Sequence, residues 1–304
     1  MPPELLQLSD SIALDPKQFI GIPIALVGAI LLRLGAQFQH RGVVKVEAKT
    51  NDAVKGLSGR QMMALLGRPS WVIGTLMLGL AVVFQLTSLG FSPIIVVQPL
   101  GAVALVITAV LNSRISKVKL NRASVISIVL CVGGVALFVL VAAFTAVDKP
   151  VSADNLVVIL IVLLVALVIF GGLFAFFGKK FKAIGYIIGA GVLYGFVATL
   201  AKVVLSRIFQ GEFGWLTILA LVGLGLAFAL GGYFVQNAYS SGPPDLVIAG
   251  LTVVDPLVAV GIGIVVLGEA SQAPGWAFVA FIVSGAIAIV GVFGLARFHP
   301  QAQR

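Results

Sequence analysis

Three charged side chains stand where charge is costly. Asp255, Arg33 and Lys202 each lie inside a long apolar run. A charge at bilayer depth costs about 3 kcal/mol or more unless it faces a cavity, water or a partner. Asp255 is about halfway along the run 245–267, beside Pro256, and cannot reach either end. A carboxylate so placed can hold a proton or a cation, or neutralise an internal Arg33 or Lys202. Arg33 lies about two-thirds of the way along the run 19–39. It can bind an anionic group, or snorkel toward the surface with His40 and Arg41. Lys202, near the end of the run 183–206, has the same two options. Gln37 follows Arg33 by one helical turn and shares its face. Gln85, Gln98, Gln236 and Asn237 are neutral polar residues inside apolar runs. Such side chains can hydrogen-bond a substrate, or simply join helices at about 1 kcal/mol each.

Two prolines mark where these residues must be held. Gln98-Pro99 lies in FSPIIVVQPLGAVALVITAVLN (91–112), and Asp255-Pro256 takes its place in DLVIAGLTVVDPLVAVGIGIVVL (245–267). Proline lacks a backbone donor and frees the carbonyl one turn earlier. In lipid that carbonyl must be satisfied by a neighbour, a side chain or water. Interrupted helices in corresponding places of two halves point to a transporter's central site. Gly185, Gly189, Gly191 and Gly195 give GxxxG spacings, which mean close helix packing. Tyr186, Tyr194, Tyr233 and Tyr239 can line a cavity or sit at interfaces. Glu269 and Asp245 fall at the ends of apolar runs, where solvent would reach them.

Composition sets the class. Hydrophobic residues make up 60% of the 304-residue chain and charged residues 10%, with mean hydropathy +1.15. Soluble domains carry about 25% charged residues, so the chain is an all-α integral membrane protein whose first partner is the lipid bilayer. Its single cysteine, Cys131, excludes a disulfide framework and a thiolate metal site. The net charge of +9 is explained by basic loops rather than by nucleic acid. The start, MPPELLQLSDSIALDPK, lacks a secretory signal's basic opening and cleavage site, so the first apolar run is expected to be retained.

About nine transmembrane spans are expected, at roughly 19–39, 70–90, 92–112, 123–146, 156–177, 183–206, 215–239, 245–267 and 275–296. The fifth is apolar all round and faces lipid over much of its surface. With the N-terminus outside, fifteen Lys and Arg fall in inside segments; only Lys17, Lys149 and Arg207 fall outside. Cytoplasmic loops carry the excess of basic residues. The chain is thus a multi-pass protein of the cell membrane, plasma or inner, with the N-terminus outside and the C-terminus cytoplasmic. The cytoplasmic loop 40–69 includes a short surface helix over 61–66, from the capping-box spacing of Ser58 and Gln61 and the stops Gly67 and Pro69. Spans 1–4 (about 19–146) correspond to spans 6–9 (about 183–296), with span 5 (about 156–177) as a link. An odd span between them makes the two repeats inverted. The whole of 1–304 is one polytopic membrane domain.

The sequence resembles the drug/metabolite transporter superfamily, EamA-like, and within it the NIPA-like group of magnesium transporters. The likeness runs over nearly the whole chain. It rests on GAQFQHRG (35–42), on Phe91-Ser92-Pro93 followed by VVQPLGAVALVITAVLNSR (96–114), on Lys202, and on Gln236-Asn237-Ala238. Gln98 stands where the magnesium group usually has a small hydroxyl residue. The resemblance implies two inverted bundles around a central cavity, working by alternating access.

The function expected is therefore a secondary transporter of a small polar or charged solute, with no cofactor. The charges leave the substrate open. Arg33 and Lys202 suit an anionic metabolite, such as a phosphorylated one. A magnesium site wants carboxylate or carbonyl oxygens, and the resemblance implies magnesium. A lipid-phosphate flippase on the same fold is an alternative. A membrane transferase fits less well, because His40 and His299 are far apart and acids are not clustered. The oligomeric state, monomer or dimer, is open.

Overall fold

The computed structural model describes residues 16–50, 66–103, 105–107, 110, 121–177, 183–241 and 244–298. The described residues are helices and their connections. They comprise α1 (Pro16–Thr50), α2 (Pro69–Phe91), α3 (Ile94–Val97), α4 (Arg122–Thr145), α5 (Ala153–Phe177), α6 (Ala183–Phe209), α7 (Trp215–Ser241), α8 (Pro244–Val265) and α9 (Gly275–Phe298). Eight of them are long and apolar enough to cross a membrane. The chain is a multi-pass membrane protein. The third expected span is described only in part: α3 leads into a 3-10 turn, Gln98–Leu100, with helical residues after it. The surface helix expected over 61–66 lies outside the described residues, apart from Leu66.

Local chemistry sets the helix ends. Pro69 occupies the first turn of α2, where its missing N–H costs nothing. Ser92 is extended (φ −134°, ψ 150°) because the residue before Pro93 is driven out of the helical region. This breaks α2 from α3 and points the start of α3 back into the protein. Asn121 caps α4, its Oδ1 accepting from the Ser124 N–H at 2.7 Å. Gly268 takes the left-handed conformation (φ 67°) and turns the chain after α8.

The prolines do not act alike. Pro99 falls in the 3-10 turn, whereas Pro256 lies inside an uninterrupted α8. The expectation of two matching interruptions is corrected on this point. Around Pro256, α8 lies close against α6, where Gly191 and Gly195 leave room for its backbone at Asp255.

Without a hydrophobic drive between helices in lipid, small residues decide which surfaces meet. Gly35 of α1 and Gly74 of α2 face each other, and Gly134 and Gly291 join α4 to α9. Gly191 and Gly195 of α6 pack on Val254 and Val258 of α8. α6 is the most buried of the spans. Among the described side chains of α5 only the stripe Leu156, Ile159 and Leu163 is buried, while Ile161, Leu164 and Val168 are exposed, as an all-round apolar helix facing lipid should be.

Candidate functional site

A cavity of about 370 Å³ lies between α1, α2, the Gln98 turn, α6, α7 and α8. Most of its wall is apolar, from Ala29, Leu32, Val82 and Phe228 among others. Arg33, Gln85, Gln98, Tyr194 and Asp255 supply the polar groups. Five residues singled out in the sequence thus meet in one place although they come from five separate segments. Nε of Arg33, Nε2 of Gln98 and Oδ1 of Asp255 are buried and have no hydrogen-bond partner among the described residues. A buried polar atom left unpaired costs about 1–3 kcal/mol. Three such atoms around one cavity form a set that a polar ligand and its water can complete. Among the described residues, Arg33 and Asp255 form no ion pair with each other, so both charges remain available to a third species.

The other candidates lie elsewhere. Gln37 is half-buried on α1, one turn beyond the lining residues. Gln236 is exposed on α7. Asn237 donates from Nδ2 to the carbonyl of Tyr233 at 2.8 Å, one turn back on α7, and is not among the lining residues. Pro99 and Pro256 both face a second, apolar cavity of about 80 Å³ between the Pro99 turn, α4, α8 and α9. Tyr186 packs among Phe174 and Phe234.

Lys202 is buried, with 3% of its surface exposed, and belongs to a different cluster. Its Nζ donates to the Ser92 carbonyl at 2.9 Å and pairs with the Asp148 carboxylate at 2.9 Å. The Ser92 carbonyl is turned to it by the same break that ends α2. The internal pair of Asp255 with Lys202 does not form.

Glu269 is the main correction to the sequence reading, which placed it in solvent. Its residue is 1% exposed, and its two carboxylate oxygens accept from the N–H of Ile94 and the N–H of Ile95, both at 2.8 Å. These are orphan donors at the start of α3, where a negative charge also meets the helix dipole. Burial lifts the Glu269 acid to about 6, against the lowering influence of Lys202 and the two N–H donors. The Glu269 carbonyl in turn accepts from the Val147 N–H at 2.8 Å. The available signal was Gly268, a helix-ending glycine that reverses the chain directly before the acid. Arg207, counted as a loop residue from sequence, is buried in the last turn of α6 and pairs with Glu212 at 3.0 Å.

Among the described residues, no three His, Cys, Asp or Glu side chains gather to cage a metal ion. Any cation in the cavity would meet one carboxylate, two amides, a phenol and its own water, with the Arg33 guanidinium on the same wall.

No solved structure matches the chain. An uncharacterised protein of Corynebacterium glutamicum is 26% identical over 92% of this chain and 96% of its own length. A protein of Arabidopsis thaliana named probable magnesium transporter NIPA1 is 28% identical over 40% of this chain and 35% of its own. A Candida albicans protein named probable magnesium transporter is 25% identical over 40% and 32%. The profile of the family described as Magnesium transporter NIPA matches residues 16–204, from the first turn of α1 almost to the end of α6. With most of its cavity lining inside that stretch, the chain belongs to the NIPA family of membrane transporters.

Proposed function

We propose that the chain carries magnesium through the Arg33–Asp255 cavity by alternating access. The observation that carries this reading is the Asp255 carboxylate, left with an unpartnered oxygen in a cavity that also holds Gln85, Gln98 and Tyr194. Mg²⁺ gives up water reluctantly and is commonly held by only one or two carboxylates with several waters retained. A single aspartate is therefore sufficient where a calcium or zinc cage would need more ligands. The volume of about 370 Å³ corresponds to roughly twelve waters at about 30 Å³ each, enough for an ion with its first shell. The names of the Arabidopsis and Candida relatives support the same ion.

The transport cycle would use two inverted repeats, about 19–146 and 183–296, joined by 156–177. In support, α1 packs along α2 as α6 packs along α7, and the cavity takes residues from both halves. The basic loops favour a cell-membrane protein with the N-terminus outside and the C-terminus cytoplasmic.

The test is uptake into proteoliposomes containing a Mg²⁺ indicator. Asp255→Asn should reduce uptake at least about tenfold, since a charge-assisted contact is worth about 1.5–3 kcal/mol. Wild-type uptake by that variant would overturn the assignment. A second reading follows from Arg33, whose Nε is also unpartnered: an anionic metabolite held by the guanidinium. Arg33→Gln separates the two. Under the magnesium reading, removing a repelling cation leaves uptake intact or raises it. Under the anion reading, a phosphorylated solute loses transport.

A further inference from the structure

We propose that Glu269 and Lys202 form a latch that closes the cavity at the α3 end, and that access from that side requires both to release. The inference rests on the transporter reading for its purpose, but the latch itself is visible as geometry. Three segments distant in sequence converge on the short stretch 92–95. The loop after α8 contributes Glu269, whose carboxylate takes both N–H groups at the start of α3. α6 contributes Lys202, which holds the carbonyl of Ser92. The loop after α4 contributes Asp148, which neutralises Lys202, and the Val147 N–H, which donates to the Glu269 carbonyl.

The stretch so held leads into an enclosed one. Ile94, Ile95, Val96 and Val97 are all fully buried, and Gln98, which follows directly, lines the cavity. The same bonds therefore plug one end of the cavity and fix the entry of the turn that carries a cavity residue. The contacts are polar and few. Separating them returns two charges to water and hydrates the two N–H groups, so release exchanges protein partners for solvent. An apolar seal of equal area would have no such exchange to offer. Pro93 and the extended Ser92 form the joint about which α3 can turn.

Two experiments test the latch from opposite directions. Both use Ala198→Cys, a cavity-lining position, in a Cys131→Ala background, labelled with a membrane-impermeant thiol reagent on intact cells and on inside-out vesicles. In the first, Glu269→Gln puts an amide NH₂ against a backbone N–H, donor facing donor. Labelling from the side on which 92–95 lie should rise by roughly tenfold, as expected for losing one buried charge-assisted bond. The second experiment does not depend on that variant folding. A Cβ built on Gly263 would lie 3.7 Å from the Cβ of Ile94, inside the range of about 3.5–4.5 Å for a disulfide, and 2.9 Å from Oε2 of Glu269, so the pair is built with Glu269→Ala and the disulfide takes the place of the carboxylate. Gly263→Cys with Ile94→Cys should, on oxidation, lock the latch. Labelling from that side then falls to background and returns on reduction, while labelling from the opposite side persists. Unchanged labelling in folded Glu269→Gln, or labelling from that side that persists in the oxidised double cysteine, overturns the proposal. These readouts involve no substrate, so they stand or fall independently of whether magnesium is carried.

Discussion

Asp255 and Glu269 are both acids drawn into the protein, but they are placed in opposite circumstances. Glu269 has both oxygens occupied by N–H groups, and Asp255 has one oxygen with no partner among the described residues. The first arrangement holds structure; the second is open to a ligand. Glu269 also has a pH dependence whose sign can be worked out. Burial pushes it up to about 6 in the latched state, with Lys202 lowering it and Asp148 raising it; Lys149 lies beside Gly268. Released into water, the acid returns to its ordinary value near 4.5. The latched state therefore binds its proton more tightly, and lowering the pH through the window from about 6 to 4.5 favours latching. Accessibility of Ala198→Cys from the α3 side should fall by roughly tenfold between pH 7 and 5, relative to the Glu269→Gln protein measured at the same pH values. A protonated carboxyl still places an oxygen at both N–H groups, which the amide of Gln does not. A flat ratio would show that Glu269 does not titrate in this step.

At the scale of the helix, close approach is the controlling quantity. A Cβ on Gly134 would lie 2.5 Å from the backbone N of Ala288 and 2.7 Å from the carbonyl O of Ser284. Backbone cannot yield as a side chain does, so Gly134→Ala should force α4 and α9 apart and cost about 1–3 kcal/mol. Its neighbour Gly133 faces open space; Gly133→Ala should be neutral or stabilise the helix by up to about 1 kcal/mol. Thermal unfolding in detergent distinguishes the pair: a lower melting temperature for the first and no loss for the second. The same scale explains what could be read from sequence. Spans long enough to cross the bilayer, the glycine face of α6 and the depth of Arg33 and Asp255 are properties of one segment each, and the structure shows the first two. That Arg33, Gln85, Gln98 and Asp255 share a cavity was foreshadowed only by depth and proline placement. The partner of Lys202 was not legible at all. Ser92 and Asp148 meet it through a chain break and a loop, and neither has a periodic signal. Glu269 was misjudged because position at a run's end indicates solvent only when no helix start is waiting for a carboxylate.

For the molecule as a whole, we propose from the distribution of basic residues that the termini lie on opposite sides. A tag on the N-terminus should be reached by antibody on intact cells, and a tag on the C-terminus only after permeabilisation. Both tags on one side would require an even number of crossings and would remove the inverted repeat. The order in which the chain is made adds a further consequence of the buried Lys202. α6 is the least apolar of the spans and carries this ammonium into the membrane, a step that costs about 3 kcal/mol for a lone charge at mid-depth. Ser92 and Asp148, its two partners, have already been synthesised when α6 emerges, so the lysine arrives at a prepared berth. Glu269 comes later, and until it does the two leading N–H groups of α3 lack their acceptor. The first half of the protein is thus inserted with one end unfinished, and the last interhelical loop completes it.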